Sequence, residues 1–113
     1  MSEKDPSGLA ANQPGAKLDA GKVMAAQILR QFPRALMGVA EVGSFGARKY
    51  SLGGWQHVEN GEARYADAGS RHELRRAMGE VFDTDSKLHH LKHEAWNKLA
   101  ELELYLRSQE ATE

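Results

Sequence analysis

The stretch Ser86–Arg107, SKLHHLKHEAWNKLAELELYLR, decides the fold class. Leu88, Leu91, Ala95, Leu99, Leu102 and Leu106 recur at three- and four-residue spacing, which an α-helix gathers into one apolar stripe. Asp85 or Ser86 can cap its start, because a short oxygen-bearing side chain satisfies an unpaired N–H of the first turn. A helix is therefore expected from Ser86 to about Arg107, with residues 109–113 as a frayed tail.

Upstream, Arg64 to Gly79 reads as a second helix, with Tyr65, Ala68, His72 and Leu74 or Arg75 setting its faces and Gly79 as its stop. Pro33 to Tyr50 reads as a third, carried by Leu36, Val39, Ala40, Val42, Phe45 and Gly46. Gly38, Gly43 and Gly46 weaken that helix by about 1 kcal/mol each relative to alanine. Glycine there implies close approach of a neighbouring backbone or of a ligand. The pattern breaks at Gly53-Gly54, leaving Trp55 at a loop edge, and QHVENGEA continues the loop. Val23 to Phe32 can form a short helix before Pro33. KLDAGK, residues 17–22, is a polar turn, and Met1 to Ala16 reads as a disordered leader. No segment alternates like a strand. The expected fold is all-α: three to four antiparallel helices in a single domain over residues 17–108.

The chain has 113 residues, 41% of them hydrophobic and 27% charged, with a net charge of −1. Near-neutrality argues against duplex DNA as a partner, which calls for a strongly basic surface. Without cysteine, disulfides and thiolate zinc sites are excluded. No signal-like or membrane-spanning run is present, so a cytoplasmic protein is expected.

Chemistry-bearing residues concentrate in RHELRRAMGEVFDTDSKLHHLKH, Arg71 to His93. His90 and His93, three apart, share a helix face, and Asp83 and Asp85 lie in the loop feeding that helix. This set can hold a divalent ion: imidazole suits a transition metal, while carboxylates with waters suit magnesium or manganese bridged to phosphates. The ordinary alternative is a hydrogen-bonded histidine pair and a common helix start. Arg71 and Arg75 make a cationic face able to grip phosphate; the alternative pairs such arginines with Glu73 or Glu80. Lys49, Tyr50 and Trp55 set an ammonium beside aromatic faces, suiting a base and a phosphate, although Trp55 can equally pack over helix ends. Lys17, Asp19, Gly21 and Lys22 could strap over a ligand, without the spacing of a phosphate-binding Walker loop. Glu59-x-x-Glu62 with Glu80-x-x-Asp83 matches the acidic pattern of all-α pyrophosphohydrolases, but its loop placement works against convergence on one ion.

In order along the chain stand Lys17-Leu-Asp19-Ala-Gly21-Lys22, Phe45-Gly46-Ala47-Arg48-Lys49-Tyr50, Trp55, Arg71-His72, Gly79-Glu80, Asp83-Thr-Asp85-Ser86 and His90-Leu91-Lys92-His93. This series resembles the phage and bacterial dATP/dGTP diphosphohydrolase N-terminal family of the MazZ type, over roughly Lys17 to Leu106. The resemblance implies hydrolysis of a purine deoxynucleoside triphosphate to monophosphate and pyrophosphate in a metal-assisted site, within phage nucleotide metabolism. A relation to MazG-type enzymes implies packed antiparallel helices and an oligomer with sites between subunits.

Two functional expectations follow. In a hydrolase, Asp83, Asp85, His90 and His93 hold magnesium or manganese, Arg71 and Lys49 stabilise developing charge, Glu80 or His72 is the general base, and Tyr50 or Trp55 stacks on the base. Lys17, Lys22 and Arg75 complete the substrate contacts. In the alternative, the same pocket binds a purine nucleotide or nucleotide-derived signal without chemistry, as a phage protein that sequesters such signals. A homo-oligomer, at least a dimer, is expected either way, because short glycine-bearing helices leave little core; Val81, Phe82, Trp96 and Tyr105 are the outer apolar positions it would cover.

Overall fold

A computed structural model describes residues 3–111; the ends of the expected leader and tail, residues 1–2 and 112–113, lie outside the described residues. The chain divides into two compact units, Met1–Phe32 and Pro33–Glu113. The described residues contain helices and turns and no strand beyond a single antiparallel bridge, Phe82 with His89.

In the first unit, residues 3–22 form hydrogen-bonded turns, in which the Asp5 carboxylate accepts from the backbone N–H groups of Leu9 and Lys17. Helix α1, Ala25–Leu29, is shorter than the expected Val23–Phe32 and buries none of its residues.

The second unit carries α2 (Pro33–Lys49), a 3-10 turn (Gly54–His57), α3 (Gly61–Ala77) and α4 (His90–Ala111). Helix α4 packs along α3 and also against α2. Helix α3 starts a turn earlier than expected. It ends in a Schellman arrangement: Gly79, at φ +100°, donates to the Arg76 carbonyl and Glu80 donates to that of Arg75.

Helix α4 departs from expectation at both ends and in its phase. It starts at His90, because residues 82–89 form a closed loop in place of a first turn. There the Asp83 carboxylate accepts from the N–H groups of Asp85 and Ser86, Lys87 takes left-handed backbone at φ +65°, and His90 N–H donates to Val81. Asp83 thus caps a turn where Asp85 or Ser86 was expected to cap a helix. At the other end α4 runs on through Ala111, past the expected Arg107.

The expected core stripe of α4 faces outward: Leu91, Leu99, Leu102 and Leu106 are each about half exposed (50%, 47%, 51% and 49%). Its buried residues are His90, His93, Asn97 and Ala100. Polar groups can occupy that side because each finds a partner there, which removes most of the penalty of desolvation. The core between the helices is small, with Val42 and Ala100 as its buried apolar residues. An edge-to-face cluster of Trp55, Tyr65 and Trp96, with ring centroids 5.5–6.3 Å apart, ties the 3-10 turn to α3 and α4. Trp96, expected on the outside, is part of this cluster. Among the described residues, no helix is long and apolar enough to cross a membrane.

Candidate functional site

The close approach of α3 and α4 makes the site. A side chain at Gly69 would meet the Asn97 Cβ at 3.3 Å, so glycine lets the two backbones draw together. One turn along α3, His72 is thereby brought against α4. Its Nδ1 lies 2.8 Å from the Nδ1 of His90, and its ring stacks on His93 at 4.3 Å with planes 10° apart.

His90 is fully buried. Its Nε2–H donates a hydrogen bond to the Glu80 carboxylate at 2.6 Å. The Nε2 of His93 meets the Ser86 hydroxyl at 2.6 Å and stands 4.0 Å from Asp83. Ligand atoms of His72, Asp83 and His90 all lie within 4.8 Å of one another, close enough to hold one ion. Two imidazoles and a carboxylate are chemically suited to a divalent cation. Asp85 and His93 lie outside this trio. Asp85 is exposed and pairs with Lys49 at 2.7 Å.

Burial pushes the His72 pKa down to about 4, aided by the neighbouring His93 and opposed by Asp83. Burial likewise lowers His93, against the pull of Asp83. Both rings are neutral near pH 7, with lone pairs available to a proton or a metal. Burial would raise Asp83, but hydrogen bonds from Ser86 outweigh it and hold the carboxyl below its usual value.

His72, Asp83 and His93 line a broad cleft of about 1490 Å³, with His90 buried behind them; its walls include Phe45, Gly46, Lys49, Tyr50, Trp55, Arg71, Arg75 and Asn97. Arg71 and Arg75 stand one turn apart on α3, and among the described residues neither has an ion-pair partner. Of Arg71, Arg75 and Arg76, it is Arg76 that pairs with a carboxylate, in a two-pronged contact to Glu94 at 2.7 and 3.0 Å; neither residue of that pair carries a local sequence signal. Tyr50 is 78% exposed, with the Lys49 ammonium 5.4 Å from its ring centre. Trp55 is held by the aromatic cluster and by Arg107 over its ring at 5.5 Å.

The glycines of α2 separate by role. A side chain at Gly38 would meet Lys92 at 3.0 Å and one at Gly43 would meet Trp96 at 3.2 Å, whereas Gly46 faces open space on the cleft wall. Lys17 and Lys22 belong to the first unit, where Lys22 pairs with Glu3 at 3.1 Å. Glu80 is turned to His90 and does not line the cleft. The acidic quartet does not converge either: Glu59 is exposed, Glu62 lines a separate dimple with Glu101, and Asp83 lines the main cleft.

Comparison with curated proteins and with solved structures returns no match. The family model described as "dATP/dGTP diphosphohydrolase, N-terminal" matches residues 12–113, and the chain belongs to that family.

Proposed function

We propose that the second unit is a nucleotide-binding domain that hydrolyses purine (deoxy)nucleoside triphosphates to monophosphate and pyrophosphate. The observation that carries this reading is the pair of uncommitted guanidiniums, Arg71 and Arg75, lining one cleft with His72, Asp83 and His93. Family membership points to the same chemistry.

Arg71 and Arg75 grip phosphate oxygens, since planar guanidinium donors match them in pairs. Lys49 adds charge at the rim once it exchanges Asp85 for phosphate. Tyr50 offers its exposed ring to the base. A divalent ion held by His72, Asp83 and His90 would supply charge neutralisation and acidify a bound water. His93, neutral and steadied by Ser86, accepts the proton of the attacking water. Glu80 orients His90 in place of the base role expected of it.

The protein acts as a homo-oligomer, because half-exposed leucines along α4 join exposed Leu74, Met78, Val81 and Phe82 in apolar surface that a monomer leaves in water.

The test is incubation with a panel of ribo- and deoxynucleoside triphosphates, with and without manganese, read by chromatography. Monophosphate and pyrophosphate in equal amounts support the reading. Tight binding with intact nucleotide recovered after denaturation replaces it with sequestration. Absence of binding removes both.

A further inference from the structure

We propose that His72, Asp83 and His90 form a three-ligand site selective for a divalent transition metal over magnesium, with Glu80 fixing the ring of His90 from behind. The site lies in the cleft assigned above to nucleotide, and the inference deepens that reading by naming its ion and ligands.

Two imidazole nitrogens bound to one ion at about 2.0–2.1 Å stand roughly 3 Å apart. The 2.8 Å between the His72 and His90 Nδ1 atoms is close to that spacing. With the His90 Nε2–H donating to Glu80, its Nδ1 presents a lone pair on the side that faces His72. A carboxylate behind a ligating imidazole sets its tautomer and raises its basicity. Asp83 is held by the N–H groups of Asp85 and Ser86, and a carboxylate retains acceptor capacity after two such bonds. The three ligands thus come from α3, from the loop and from the start of α4, each restrained by a separate contact.

The donor set selects the ion. Magnesium favours an all-oxygen octahedral shell and sheds water reluctantly, whereas two imidazoles with one carboxylate suit manganese, iron, cobalt, nickel or zinc and leave positions open. Those positions would face the cleft, where a phosphate oxygen or water can enter. His93 and Asp85 are not ligands: His93 braces His72 by stacking, and Asp85 is engaged by Lys49.

The experiment uses the full chain, stripped with EDTA and titrated with Co(II), Zn(II) and Mg(II) without nucleotide. Equimolar Co(II) uptake with new visible absorption is expected, at least about 100-fold tighter than Mg(II). His72→Asn should abolish stoichiometric uptake, and Asp85→Asn should leave it unchanged. Glu80→Gln keeps a hydrogen-bond partner for His90 and should weaken Co(II) binding about 10–100-fold with unaltered circular dichroism; it remains informative if His72→Asn does not fold. Failure of the folded wild-type chain to take up Co(II) or Zn(II) overturns the site, as does wild-type affinity in Glu80→Gln. Because nucleotide is absent, such a failure is distinguishable from a failure of nucleotide binding or hydrolysis.

Discussion

The Nδ1 atoms of His72 and His90 meet at 2.8 Å across the seam between α3 and α4. His90 also reaches Glu80, so one buried ring joins both helices to the loop between them. His90→Ala leaves the polar atoms of His72 and Glu80 without that partner. It should destabilise the fold by about 1–3 kcal/mol in urea denaturation at neutral pH. A loss under about 0.5 kcal/mol would show that the seam is held by its apolar contacts alone.

Among the described residues, Arg71 and Arg75 pair with no carboxylate. Arg71→Ala and Arg75→Ala should each weaken nucleoside triphosphate binding about 10–100-fold, the value of a charge-assisted contact, while changing stability by under about 0.5 kcal/mol. Calorimetric titration beside thermal melting separates the two effects. Arg75→Lys should recover little, because a point charge does not replace a planar fork.

Gly46 lies in a helix with open space beside it. Gly46→Ala should therefore stabilise the protein by up to about 1 kcal/mol through helix propensity, yet lower nucleotide affinity if the cleft wall must stay bare. Gly69→Val should do the opposite to stability, costing about 1–3 kcal/mol as Asn97 is crowded. Parallel denaturation curves on both variants check this contrast.

The hydrogen bonds from Arg76 hold the largely buried Glu94 carboxyl below its usual value of 4.5. A depressed folded pKa means that the contribution is present above the unfolded value and lost as pH falls through the folded one. Melting midpoints should fall as pH drops below about 4.5, and Glu94→Gln should flatten that acid limb. An unchanged acid limb in the variant would assign acid sensitivity elsewhere.

Leu99→Glu and Leu102→Glu place charge on the outward stripe of α4. Both should shift the protein to a slower-sedimenting species and leave helical content intact. A wild-type chain that sediments as a monomer at micromolar concentration would remove the oligomer.

The sequence carried the existence of α4 plainly but not its orientation. A three-to-four spacing tells which residues share a side, whereas the choice of inner side depends on groups from elsewhere in the chain. His90, His93 and Asn97 go inward because Glu80, Ser86, His72 and the glycine at 69 receive them. The stop at Gly79 was legible because positive φ at a helix end is a local property of glycine. Lys49 meeting Asp85 and Arg76 meeting Glu94 were not, since nothing near either member marks its partner. The candidate ligands stood out by type; that His72, Asp83 and His90 draw within 4.8 Å of one another, with Asp85 and His93 outside that trio, depends on the packing of the helices.

The connector from Met78 to His89 turns through left-handed backbone at Gly79 and again at Lys87 before α4 begins. Its internal hydrogen bonds, from the Asp85 and Ser86 N–H groups to Asp83 and from the His90 N–H to Val81, anchor the point at which α4 begins. Neighbouring side chains on a helix point about 100° apart. Slipping the α4 sequence by one position along its axis would therefore carry the imidazoles off the seam and bring other side chains round to it. The anchored connector guards a chemical interior against an ordinary greasy one.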